Sequence, residues 1–132
     1  NAPSTTLAKK IVSIQNQNSL IELDSFYKDL SRIPFKSREM HNFDHPKAYD
    51  FILLENNLNS IKSGNSIKVP IYDYKSHTRT TSYNKINPSK YIIIEGILLF
   101  HEKKIRDLMD YKIALIFLFY NSYLISKAFF LP

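Results

Sequence analysis

The 132-residue sequence contains no cysteine and only two glycines. Without cysteine there are no disulfides, no thiolate nucleophile and no cysteine-based zinc site, which fits a reducing compartment. A block of like charges is also missing: the net charge of +6 is spread along the chain. Nucleic acid is therefore not specially indicated, and a phosphate-bearing small molecule suits the balance equally well. No charged-then-apolar leader pattern opens the sequence. The most apolar stretch, "IALIFLFYNSYLI", is interrupted by Asn121 and Ser122. It falls short of the roughly 20 apolar residues needed to span a bilayer. The expectation is a cytoplasmic protein that uses neither membrane nor nucleic acid.

The apolar content of 44% and charged content of 23% are those of a globular chain. The length fits one domain over 1–132. "TTLAKKIVSI" spaces Leu7, Ala8, Ile11 and Val12 as one face of a helix. "SLIELD" reads as a short strand ending in Asp24. In the clearest helix Pro46 suits the first turn, and Ala48, Phe51, Ile52, Leu54, Leu58 and Ile61 repeat with helical period. Gly64 stands where a C-terminal cap belongs. "SIKVPIYDY" alternates as a strand, with Pro70 placing it at an edge. "KYIIIEGILLF" carries an unbroken apolar run from Tyr91 to Ile94, the pattern of a strand covered on both faces. "HEKKIRDLMD" predicts a short amphipathic helix, and "YKIALIFL" a second buried strand. Strands alternating with helices indicate an α/β fold with a parallel sheet.

Two carboxylates stand out by position. Asp24 and Glu95 each end a predicted strand, and ligands of open α/β sheets bind at that edge. A helix cap is the plainer reading of Asp24 before "SFYKDL". Glu95 sits between apolar runs on both sides, where a carboxylate needs a partner such as a cation. In "VPIYDYKSHTR", Tyr72, Asp73, Tyr74 and His77 crowd onto a strand and its exit. Either they form an edge strand with amphipathic rings, or they line a pocket for a planar ligand. Arg79 there is a candidate ion-pair partner of Asp73. Tyr27 and Lys28 read as surface residues.

Four stretches, "LDSFYKDL" (23–30), "NFDHPKAYD" (42–50), "VPIYDYKSHTR" (69–79) and "EGILLF" (95–100), together resemble the uridine kinase (uridine-cytidine kinase) family. Their order and spacing are similar to the family's. The resemblance implies a P-loop kinase-like parallel sheet flanked by helices, with a β-hairpin-like segment for substrate. It implies transfer of the γ-phosphoryl of ATP to the 5′-hydroxyl of uridine or cytidine, with Mg²⁺. On the matching positions, Asp24 is the implied base. Asp44 receives the ribose hydroxyls, with Phe43 beside the sugar. Tyr72 and His77 read the pyrimidine edge, and Tyr74 stacks on its face. Glu95 and Thr5 serve Mg²⁺, Thr5 also facing the nucleotide phosphates. A homotetramer is implied as well.

Both ends depart from the family pattern. A phosphate-binding loop needs glycines and a lysine. Here Ser4 occupies the lysine position and no glycine precedes it. Beyond Arg79 the only arginine is Arg106, where the family has an arginine-rich lid. Three readings stand: an ordinary kinase whose loop and lid fall outside this sequence, a catalytically inactive nucleoside-binding homologue, or a truncated product.

Overall fold

The computed structural model describes residues 3–14 and 18–112, apart from the side chains of residues 3–5 and 7. Its regular elements are α1 (Pro3–Ile14), β1 (Asn18–Glu22), α2 (Phe35–Glu39), α3 (Phe51–Lys62), β2 (Ile67–Asp73), β3 (Thr78–Ile86), β4 (Tyr91–Glu95) and α4 (Lys103–Leu108). They fall into two compact units. One comprises Asn1–Leu23 with Pro88–Pro132, the other Asp24–Asn87.

In the first unit, β1 and β4 pair in parallel, from Asn18 opposite Tyr91 to Glu22 opposite Glu95. Ile21, Ile92, Ile93 and Ile94 are buried, so the apolar run of β4 is covered as the sequence predicts. Helix α1 lays the face carrying Ala8, Ile11 and Val12 against Ile93 and Leu20. The Asn18 side-chain amide donates to the Ile11 carbonyl at 3.2 Å and ties the end of the helix to the start of β1. Strand β1 stops at Glu22, and Asp24 lies in the 3-10 turn Leu23–Phe26 that follows it. Gly96 leaves β4 so close to Leu23 that an added Cβ would overlap that buried side chain. Helix α4 is capped by the Glu102 side chain and buries Ile105. Most of the strand expected in "YKIALIFL" lies outside the described residues.

In the second unit, α3 begins at Phe51, because the Asp50 carboxylate accepts from the Leu53 N–H at 3.0 Å and caps it. Pro46 instead opens a separate 3-10 turn, Pro46–Ala48. Leu54, Leu58 and Ile61 are buried, whereas Ile52 faces solvent. Gly64 takes φ +88° just past the helix, the left-handed turn that glycine makes without steric cost. Strands β2 and β3 form an antiparallel hairpin with a bulge between Pro70 and Tyr72. The stretch after Asp73, an exit loop by its residue pattern, turns back as a full strand and completes the hairpin that the resemblance implies. Among the described residues, no helix is long and apolar enough to cross a membrane.

Candidate functional site

The opening residues of the second unit are drawn together by backbone pairing. Lys28 N–H donates to the Ala48 carbonyl at 2.9 Å, and Asp50 N–H to the Phe26 carbonyl at 2.7 Å. Arg79 of β3 joins this junction through its Nε, 2.7 Å from the Tyr27 carbonyl, and through an ion pair with Asp50 at 3.3 Å. Asp50, rather than Asp73, is therefore the partner of Arg79. Thr78 is buried beside Arg79. Its hydroxyl accepts from the Leu30 N–H at 2.8 Å and donates to Asp29 at 2.9 Å. Asp29 is held below the usual carboxylate range, first by the Ser31 N–H and then by the Ser31 and Thr78 hydroxyls.

The hairpin turn is set with similar care. Asp73 accepts from the Lys75 N–H at 3.0 Å and the Ser76 hydroxyl at 2.6 Å. These bonds, the Ser76 hydroxyl foremost, keep its carboxyl low as well. His77 adopts φ 52°, the left-handed region in which His is more acceptable than branched residues. Arg38 of α2 reaches across to this turn. Its guanidinium donates to the carbonyls of Ile33 at 2.6 Å, Ser31 at 3.0 Å and Ser76 at 3.0 Å.

These supports assemble a cluster of rings. Tyr27 packs edge-on to Phe43 at 5.1 Å, stacks on Tyr49 at 4.4 Å and meets Tyr72 at 5.2 Å. Phe43 stacks against His77 at 5.8 Å, and Tyr72 meets Tyr74 edge-on at 5.3 Å. Burial pushes the phenols of Tyr27 and Tyr72 up to about 12 and raises that of Tyr49 further. All three are therefore neutral hydroxyls at physiological pH. The Tyr72 hydroxyl is buried and has no hydrogen-bond partner among the described residues. Buried hydroxyls are nearly always satisfied, so this one has hydrogen-bonding capacity to spare.

Six of the eight residues expected at the site, Asp24, Phe43, Asp44, Tyr72, Tyr74 and His77, belong to this unit. Phe43, Tyr72, Tyr74 and His77 are linked through ring contacts. Asp24 joins them by way of Tyr49, whose Oη lies 3.2 Å from the carboxylate and 2.9 Å from the Tyr27 hydroxyl. Asp44 is exposed, its loop turned by the Asn42 side chain, which accepts from the Asp44 N–H at 3.1 Å. Its charge is among those that raise the Tyr27 phenol. Tyr74 is 61% exposed, leaving most of its ring uncovered.

Glu95 and Thr5 belong to the other unit. Glu95 is buried at the end of β4, 6% exposed. Thr5 lies in the first turn of α1, with its side chain outside the described residues. Among the described residues, no group of three or more His, Cys, Asp or Glu forms a metal cage.

Sequence reasoning missed Tyr27, Tyr49 and Arg38. Tyr27, expected at the surface, is the hub of the rings. The available signal was an aromatic residue in each of the first three motifs. Asp24 and Tyr27 also stand three residues apart, the spacing that aligns side chains on a 3-10 turn.

Comparison with known proteins places the chain in a family. The sequence model of the Phosphoribulokinase / Uridine kinase family matches residues 2–119. A uridine kinase of Halalkalibacterium halodurans is 44% identical over 111 residues, covering 83% of this chain and 53% of the relative. One from Clostridium botulinum is 43% identical over 111 residues, covering 83% and 54%. The chain thus spans about half the length of the curated relatives it matches. Among solved structures, a Bacillus stearothermophilus protein described as a possible uridine kinase superposes with a TM-score of 0.62 at 20% identity. That match covers 81% of this chain and 60% of the other and shows the shared fold, a P-loop kinase α/β architecture. The chain belongs to the phosphoribulokinase/uridine kinase family.

Proposed function

We propose that this protein is a cytoplasmic uridine/cytidine kinase that forms UMP or CMP from ATP, its two units being parts of one kinase domain. The observation that carries this reading is the ring cluster with its unpartnered Tyr72 hydroxyl. A pyrimidine is planar and apolar on its faces but polar at its edge. The largely exposed ring of Tyr74 offers a stacking surface, while Tyr72 and His77 supply edge hydrogen bonds. Asp44, exposed beside Phe43 in sequence, receives the ribose hydroxyls.

In the reaction, Asp24 accepts the proton of the nucleoside 5′-hydroxyl as that oxygen bonds to the γ-phosphorus. The bond from γ-phosphorus to the bridging oxygen breaks, and ADP leaves. Phosphoryl transfer depends chiefly on positioning and charge neutralisation. Glu95 and Thr5 are the residues that would hold Mg²⁺, which when bound neutralises phosphate charge. As in the family pattern, a homotetramer is part of this proposal.

A second reading is favoured by one specific observation. Ser4 stands where the phosphate loop has its lysine. A nucleoside-binding homologue without transfer would have this feature. Calorimetric titration with uridine and separately with Mg·ATP, followed by an assay of labelled phosphate transfer, distinguishes them. The kinase reading expects both ligands to bind and UMP to form. Binding of uridine alone, with no UMP, would leave the nucleoside-binding homologue.

A further inference from the structure

The hydroxyl of Tyr49 lies between two groups, the Asp24 carboxylate at 3.2 Å and the Tyr27 hydroxyl at 2.9 Å. It carries one proton and so can donate to only one of them. An ionised carboxylate accepts but cannot donate, so the Tyr49 proton goes to Asp24. Tyr27 then donates to the Tyr49 oxygen, giving a directed chain from Tyr27 through Tyr49 to Asp24. Tyr49 is itself rigid: it is 2% exposed, stacked on Tyr27 at 4.4 Å and packed against Phe51 at 5.8 Å. Its backbone bridges to Tyr27 from the opposite segment. Burial and the Asp24 charge both favour its neutral, donating form.

From this geometry we infer that Tyr49 is a positioning residue for Asp24, fixing the rotamer of the proposed base and favouring its ionised state. The inference rests on the base reading of Asp24 given above. The titratable groups facing the chain are Asp24 and Tyr49 themselves, Tyr27, and the Tyr74 and Asp44 groups whose charges act on Tyr27. A hydrogen bond to the charged form of an acid lowers its pKa, so its loss makes the acid titrate at higher pH.

The test uses Tyr49→Phe and Tyr27→Phe in the full-length protein, both of which keep the ring, with melting temperature as a check on folding. In Tyr49→Phe, kcat should fall about 10-fold, the scale of one hydrogen bond to a charged group. The KM for uridine should stay within about 2-fold, because the bond serves the proton acceptor and not the ground-state complex. The acidic limb of kcat should move to higher pH, and by more than in Tyr27→Phe, where the Tyr49–Asp24 bond survives. An unmoved limb, or a limb moved equally by the two variants, would overturn the inference. Should the wild-type protein transfer no phosphate, it is the base reading that fails. The carboxyl ¹³C resonance of Asp24, titrated in wild type and Tyr49→Phe, then decides the inference: a titration displaced to higher pH supports it, and coincident titrations overturn it.

Discussion

In the unit built on β1 and β4 the buried apolar side chains among the described residues are chiefly aliphatic, among them Ile21, Leu23, Ile92, Ile93, Ile94, Leu99 and Ile105. In the unit from Asp24 to Asn87 the rings of Tyr27, Tyr49 and Tyr72 are buried, and charged side chains fasten its segments. Aliphatic packing is tolerant, since similar volumes substitute for one another at modest cost. A network of rings, guanidinium groups and carboxylates is far less tolerant, because each donor needs its acceptor at a fixed distance. The two units also differ in how closely they follow the family. Three of the four matching motifs lie in the ring-rich unit, whereas the phosphate-loop departure at Ser4 lies in the aliphatic one. On the proposed reading, nucleoside recognition and phosphate handling fall in separate stretches of sequence.

The sharpest break in this comparison comes from Asp24→Asn. It should leave uridine affinity nearly unchanged while lowering turnover by about 10²–10⁴-fold, the range for losing a general base. Steady-state kinetics beside calorimetry checks this, and a near-wild-type kcat would return Asp24 to a capping role. Arg79→Met tests the fastening of the ring-rich unit. It removes the bonds to the Tyr27 carbonyl and to Asp50, and stability should fall by about 2–4 kcal/mol, typical of breaking a part-buried charged network. Denaturant unfolding measures it. A loss confined to a few tenths would mean that water replaces the guanidinium without strain. Smaller still is Asp44→Ala, expected to weaken uridine binding by about 1.5–3 kcal/mol. Deoxyuridine should lose part of the same energy, and the two losses should not add. Equal affinities for uridine and deoxyuridine in wild type would remove the ribose contact.

How legible all this was in the sequence follows the same division. Periodicity exposed α1 and α3 through one buried face each, Ala8 and then Leu54, Leu58 and Ile61, and β4 was exposed by an unbroken apolar run, Ile92–Ile94, buried on both faces. Strand β3 was implied by the family resemblance, as part of a hairpin, but not by periodicity. Residues 80–85 are exposed on both faces, so no alternation betrays a strand held mainly by backbone pairing to β2. Pro46 looked like the start of α3, yet the Asp50 cap lies closer to the helical run and sets the boundary. Motif resemblance selected Phe43, Tyr72, Tyr74 and His77, which the fold gathers into one cluster. Tyr27 was read as a surface residue, and Tyr49 was not singled out. Their role depends on contacts between residues 22 positions apart. Arg79 offered Asp73 as a near neighbour in sequence, but Asp73 is occupied by its own turn, and the guanidinium reaches Asp50 instead.

The central claim is that the hairpin turn and its rings read a pyrimidine. Calorimetric affinity for uridine, cytidine and adenosine, in wild type, Tyr74→Ala and His77→Ala, tests it most directly. Stacking on an aromatic face contributes about 1–3 kcal/mol and accepts any base. Edge hydrogen bonds discriminate, because a wrong ligand leaves polar groups unpaired. Tyr74→Ala should therefore weaken all three nucleosides together. His77→Ala should weaken uridine and cytidine selectively and narrow their advantage over adenosine. If His77→Ala lowers the melting temperature and leaves the ratio of affinities unchanged, the cluster only holds the hairpin together, and the pocket reading is contradicted.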